Sequence, residues 1–146
     1  MKLSTYFTLN EFVSSQTATR RGINNTPTES AMINLQFTAL KMDDIRRLLN
    51  KPILISSGYR CAELNTAIGG SKTSSHVRGE AVDFTSPGFG SNALIFGEIE
   101  NSGIKFDQLI LEYPNSPNGG WVHVSFGGKQ RGQCLIFDGK KYKEVG

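Results

Sequence analysis

Cysteine and histidine are both scarce in this chain of 146 residues, with two of each. Cys61 and Cys134 stand far apart and neither belongs to a C-x-x-C pair, which excludes a zinc finger and a disulfide framework. Spacing leaves a single Cys61–Cys134 bridge open, but a chain without a leader argues against it. Long apolar runs are also missing. The opening MKLSTYFTLNEF holds no signal-peptide core, and no segment approaches bilayer-spanning length. The protein is therefore expected not to insert in a membrane and to stay in the cytoplasm of the cell that makes it until released. Dense basic stripes are absent too. The net charge is +3 and the isoelectric point is near 9.0. Lys140, Lys141 and Lys143 form the one tight basic cluster, which reads as a solvated C-terminal strand, so no nucleic-acid partner is expected.

What is present fits one soluble domain spanning residues 1–146. Thr8 and Glu11 have capping-box spacing and predict a short helix to about Ser14. Residues 15–27 read as a polar connecting loop. Thr28 can cap a long amphipathic helix to about Asn50, with Met32, Leu35, Phe37, Leu40, Met42, Ile45, Leu48 and Leu49 as its core stripe. A short strand follows at Ile53–Ile55, then helices over Cys61–Ile68 and Ser91–Asn101. Strands are expected at Glu80–Thr85, Phe106–Tyr113, Gly120–Phe126, Gln133–Phe137 and Lys141–Glu144. Helices first and hairpin-connected strands later predict an α+β fold, with N-terminal helices on a mainly antiparallel sheet.

Each histidine has a distinctive setting. His76 ends a polar loop in Ser74-Ser75-His76-Val77-Arg78-Gly79-Glu80-Ala81-Val82-Asp83, and Asp83 falls inside the strand that follows. His123 lies in Trp121-Val122-His123-Val124-Ser125. Period-two alternation puts Trp121, His123 and Ser125 on one face and Val122, Val124 and Phe126 on the other. Asp83 likewise shares a face with Ala81, opposite Val82 and Phe84. Two imidazoles and one carboxylate suit zinc and leave a fourth position for water, as in catalytic rather than structural sites. Calcium or magnesium would call for more oxygens and no histidine.

The pattern S-x-H-x-x-G-x-A-x-D followed by W-x-H resembles the zinc peptidases that include D-alanyl-D-alanine carboxypeptidases and L-alanyl-D-glutamate endopeptidases, particularly a small branch found in phage endolysins. Ser74, His76, Gly79, Ala81 and Asp83 match the first motif, and Trp121 and His123 match the second. Ser57-Gly58-Tyr59-Arg60 and Asn65 resemble the family's upstream S-G-Y-R…N segment, so the resemblance covers about residues 50–126. It implies that His76, Asp83 and His123 hold zinc and that Arg60 contacts substrate and stabilises the oxyanion; the alternative for Arg60 is a surface ion pair. Ser74 would bind substrate or hold its loop, Trp121 would wall the cleft or pack beside it, and Gly79 would permit the turn before the strand.

The sequence departs from the better-known branches at one place. They carry a glutamate three residues before the final histidine, where this chain has Gly120. Glu112 is the best substitute base if it faces Trp121 across a hairpin, since it then shares a face with His123. A one-residue slip would turn it away. Glu80 and Asp107 are poorer candidates. The expected function is zinc-dependent hydrolysis of amide bonds in peptidoglycan stem peptides by a monomeric, phage-type lysin. The alternative is a wall-binding or assembly module that keeps zinc but lacks hydrolysis, suggested by Gly120.

Overall fold

The computed structural model describes residues 1–145. Helix α1 (Leu9–Val13) starts as expected, with the Thr8 amide donating to Glu11 Oε1 at 2.9 Å. The segment expected to be only a loop contains α2 (Gln16–Arg21), capped where the Ala18 amide donates to Ser15 Oγ and closed by Gly22 at φ 65°. Only Ala18 is buried in it, so it carried no apolar periodicity to read. Helix α3 (Glu29–Leu49) runs from Thr28, whose Oγ1 accepts from the Ala31 amide, to Asn50 in the left-handed region.

The core face of α3 differs from the expected stripe. Ala31, Leu35, Thr38, Ala39, Met42, Ile45 and Leu49 are buried, whereas Phe37 is 47% and Leu40 58% exposed. Small residues let the helix approach its neighbours closely, as where the Ala31 backbone meets Gly79, so the true stripe is poorer in large side chains than the one beside it. Asp43 is buried on the same helix and accepts from Ser4 Oγ and from the amides of Thr5 and Tyr6 at 2.9–3.1 Å, pinning the N-terminal segment. Replacing Asp43 by alanine strands these donors and should cost about 3 kcal/mol. Urea unfolding of Asp43→Ala against Asp43→Asn, which keeps an acceptor, measures this.

Strand β1 (Leu54–Ser57), α4 (Ala62–Ala67), β2 (Ala81–Thr85), α5 (Asn92–Glu100), β3 (Gln108–Glu112), β4 (Trp121–Ser125), β5 (Gln133–Phe137) and β6 (Tyr142–Glu144) complete the domain. The strand order is β1-β2-β4-β3-β5-β6. The sheet is mixed, not the mainly antiparallel one expected: β5 runs parallel to β3, in register from Gln108↔Gln133 to Glu112↔Phe137. The cause is occupancy. Both edges of β4 are taken by β2 and β3, so the chain reverses after β4 but lands beyond β3. A reversal that skips one strand runs parallel to the strand it joins. The connector is tied down where the amides of Gly132 and Gln133 donate to the carbonyls of Phe106 and Asp107.

One face of the sheet, with Val82, Phe84, Leu109, Leu111, Val122 and Val124, joins α3 and α5 in the core. The opposite face is open and carries Asp83, Glu112, Trp121 and His123. Among the described residues, no helix is long and apolar enough to cross a membrane, and Cys61 and Cys134 are both free.

Candidate metal centre

Asp83 and His123 are direct cross-strand partners on β2 and β4, and His123 Nδ1 lies 2.8 Å from Asp83 Oδ1. His76 reaches them from a 3₁₀ turn, Ser75–Arg78, that ends at Gly79 with φ 76°. A side chain at Gly79 would also run into the Ala31 carbonyl of α3, which explains the glycine on two grounds. Thr38 Oγ1 donates to the Gly79 carbonyl at 2.8 Å and fastens the turn to α3. The Gly58 carbonyl lies 2.7 Å from His76 Nδ1. A carbonyl can only accept, so Nδ1 carries a proton, and Nε2 is the ring nitrogen turned toward Asp83, 3.3 Å from its Oδ1.

The ligand atoms of His76, Asp83 and His123 all lie within 4.8 Å of one another, and all three residues are buried. Burial pushes the Asp83 carboxyl up, but the charge of His76 and the hydrogen bond from His123 outweigh it and hold the carboxyl well below the usual range. Burial lowers His123, and the hydrogen bond and charge of Asp83 more than reverse this. A buried carboxylate between two imidazoles thus demands positive charge. One ring proton can provide it, and a divalent cation provides it better while using the His76 Nε2 lone pair. The donor set fits zinc: two nitrogens, one oxygen and an open side toward the cleft.

The remaining expected site residues converge on the same cleft of about 610 Å³. Arg60 Nη2 donates to Ser74 Oγ at 3.1 Å, and Ser74 Oγ accepts from the His76 amide, so Ser74 holds both the loop and the guanidinium. The Arg60 amide donates to the His76 carbonyl at 3.2 Å. Arg60 Nε is buried with no hydrogen-bond partner among the described residues, while the guanidinium as a whole lines the cleft. Asn25 was not foreseen. Its side chain donates to the Tyr59 carbonyl and accepts from the Cys61 amide, clamping the backbone on both sides of Arg60. No sequence signal points to it, because the contact joins a polar connector to a distant turn.

Glu112 faces Trp121 in the register on which its role depends. Trp121 Nε1 donates to Glu112 Oε2 at 2.9 Å, and that oxygen lies 3.9 Å from His123 Nδ1. Burial, then the charge of Asp83, push the Glu112 carboxyl up. Glu80 pairs instead with Arg78, its carboxylate packed over Gly127. Asp107 lines the cleft but is held by Arg131 through two hydrogen bonds of 2.9 Å.

Gly120 has φ 69°, and any Cβ there would overlap the Glu112 carbonyl. No glutamate can occupy this position without moving the end of β3. Gly120→Ala should therefore disturb Glu112 directly. We expect about 2 kcal/mol of destabilisation and a larger relative loss of activity than of stability, read by denaturant midpoints beside kcat/KM.

The Arg131 hydrogen bond holds Asp107 below the ordinary carboxylate range, against the smaller opposing effect of burial. Its contribution to stability is present above the unfolded value of about 3.9 and is lost as pH falls through the lower folded value. Because the Arg131 side chain is exposed to solvent, the effect is small. The gap in thermal midpoint between wild type and Asp107→Asn should be open at neutral pH and close in acid.

An α+β domain with two imidazoles, a carboxylate and a nearby glutamate at the floor of an open cleft has the makings of a metallohydrolase. The family model of peptidase M15 matches residues 5–125, and the chain belongs to that family, the zinc D-Ala-D-Ala carboxypeptidases. Membership makes it a metallopeptidase of a zinc-dependent family. The match takes in the N-terminal helices, which carry none of the family motifs. No curated protein matches the chain.

Proposed function

We propose that this protein hydrolyses amide bonds in peptidoglycan stem peptides as a zinc-dependent, phage-type lysin. The observation that carries the reading is the pairing of a His76/Asp83/His123 donor set with Glu112, whose carboxylate lies 3.9 Å from His123. His76, Asp83 and His123 would hold the zinc, which would supply Lewis acidity for activating water and polarising the scissile carbonyl. Glu112 accepts the proton of the attacking water and returns it to the leaving amine. Trp121 donates to the same Glu112 oxygen that lies 3.9 Å from His123, which fixes the carboxylate beside the metal ligands. The Arg60 guanidinium, fixed by Ser74, faces the negative charge that develops on the carbonyl oxygen.

The alternative of a zinc-holding module without hydrolysis drew its support from Gly120. Glu112 fills the gap from the adjacent strand, which favours the enzyme. On this reading the protein works as a monomer, accumulates in the host cytoplasm and meets the wall after release. Digestion of purified stem peptides, with fragments identified by mass spectrometry, tests it. Release of a terminal D-amino acid marks a carboxypeptidase, and separation of L-Ala from D-Glu an endopeptidase. Intact peptides after incubation with zinc-loaded protein would return the reading to a binding module.

A further inference from the structure

Four aromatic side chains extend from the metal centre toward the edge of the sheet, and the mechanism uses only one of them. Register aligns Trp121, Glu112, Phe137 and Tyr142 in one row across β4, β3, β5 and β6. Tyr113 follows Glu112 with φ 53°, a left-handed conformation that is uncommon outside glycine. This places its ring 5.1 Å from that of Trp121 and 5.4 Å from that of Phe137. A side chain at Gly139 would press on the Tyr113 ring, so the β5–β6 turn is cut back to admit it. Tyr142 stacks on Phe137 with centroids 4.4 Å apart, yet remains 57% exposed.

Trp121, Tyr113 and Tyr142 line the same cleft as the metal ligands, so this shelf continues the candidate site. The two ends of the cleft differ in chemistry. Arg78 and the Arg131–Asp107 pair lie at one, the aromatic rings at the other. Both arginines are already paired with carboxylates, Arg78 with Glu80 and Arg131 with Asp107, so the distinctive end is the aromatic one, which suits a ligand with a flat C–H face.

Resting on the peptidase reading above, we propose that the Tyr113–Phe137–Tyr142 shelf is a saccharide subsite that stacks a pyranose ring of the glycan bearing the stem peptide. A pyranose turns its axial C–H bonds toward the electron-rich face of an aromatic ring and leaves its hydroxyls at the rim. The rim is polar here: Gln133 Nε2 donates to Glu144 Oε1 at 2.9 Å, beside Leu135 in the next row. Stem peptides contain no aromatic residue that would need such a shelf, whereas every stem is attached to an amino sugar.

Two measurements test the subsite separately from the chemistry. The chain has a single tryptophan, so its fluorescence reports on Trp121 alone. Titration with the peptide-free N-acetylglucosamine–N-acetylmuramic acid disaccharide should give a saturable change. Its midpoint should weaken about fivefold in Tyr142→Ala and recover in Tyr142→Phe. In cleavage, wild type should favour a disaccharide-linked stem peptide over the free peptide by about tenfold in kcat/KM, a ratio that falls toward one in Tyr142→Ala. A flat titration, or a preference unaffected by Tyr142→Ala, overturns the subsite even if the peptide is cleaved. So does an aromatic dipeptide that binds the shelf in place of the disaccharide. Failure to cleave either substrate overturns the peptidase reading, and the titration still decides whether the shelf binds sugar.

Discussion

Asp83→Ala should lose zinc and hydrolysis together. Asp83 stands between the two imidazoles, 3.3 Å from His76 Nε2 and 2.8 Å from His123 Nδ1, and is the one anionic ligand of the set. Without it two neutral nitrogens remain, and metal affinity should fall by about a hundredfold or more. Activity should drop by about three orders of magnitude, because zinc supplies both the acidified water and the polarised carbonyl. Zinc content after gel filtration and kcat/KM on a stem peptide give the two readouts. Circular dichroism establishes that the fold persists, as expected while Val82 and Phe84 still fill the core on the other face of β2. A variant that keeps one zinc per chain would remove Asp83 from the ligand set.

Glu112→Gln should separate the two properties. Glutamine keeps the size of the side chain and an oxygen to accept from Trp121 Nε1, so local structure and zinc content should hold. It cannot take a proton from water, and kcat should fall by about 10²- to 10⁴-fold. The raised Glu112 carboxyl suits it to this work, since a base closer to neutrality drives proton transfer better. Normal turnover by this variant would move the role elsewhere, with Asp107 the remaining carboxylate in the cleft.

Much of this site was legible in the sequence because strands translate spacing into faces. Period two put His123 beside Trp121 and Asp83 opposite Val82, and the fold pairs Asp83 with His123 directly. Glu112 was legible conditionally: its role needed one register out of two, and Glu112↔Trp121 is the one that forms. The reason for Gly120 was not legible, because it depends on how closely the backbone of β3 approaches. Asn25 escaped for a similar reason, being a single side chain that ties a connector to the turn carrying Arg60.

In the fold, the helix caps Thr8 and Thr28 were visible because capping is a local signal. The core face of α3 was misjudged because hydrophobicity was weighted by size, whereas close packing favours Ala31 and Ala39. The parallel β5 follows from which strand edges are already filled, a property of the whole sheet that no local window contains. Tyr142 joins the cleft only through that pairing, which hid the aromatic shelf until the topology was known.

Digestion of purified peptidoglycan before and after chelation, with zinc then restored, addresses the central claim most directly. The account predicts cleavage by the zinc-loaded protein, loss on chelation, and recovery at one zinc per chain. Cleavage that survives complete removal of metal would contradict it, as would a stoichiometrically loaded protein that leaves every stem peptide intact.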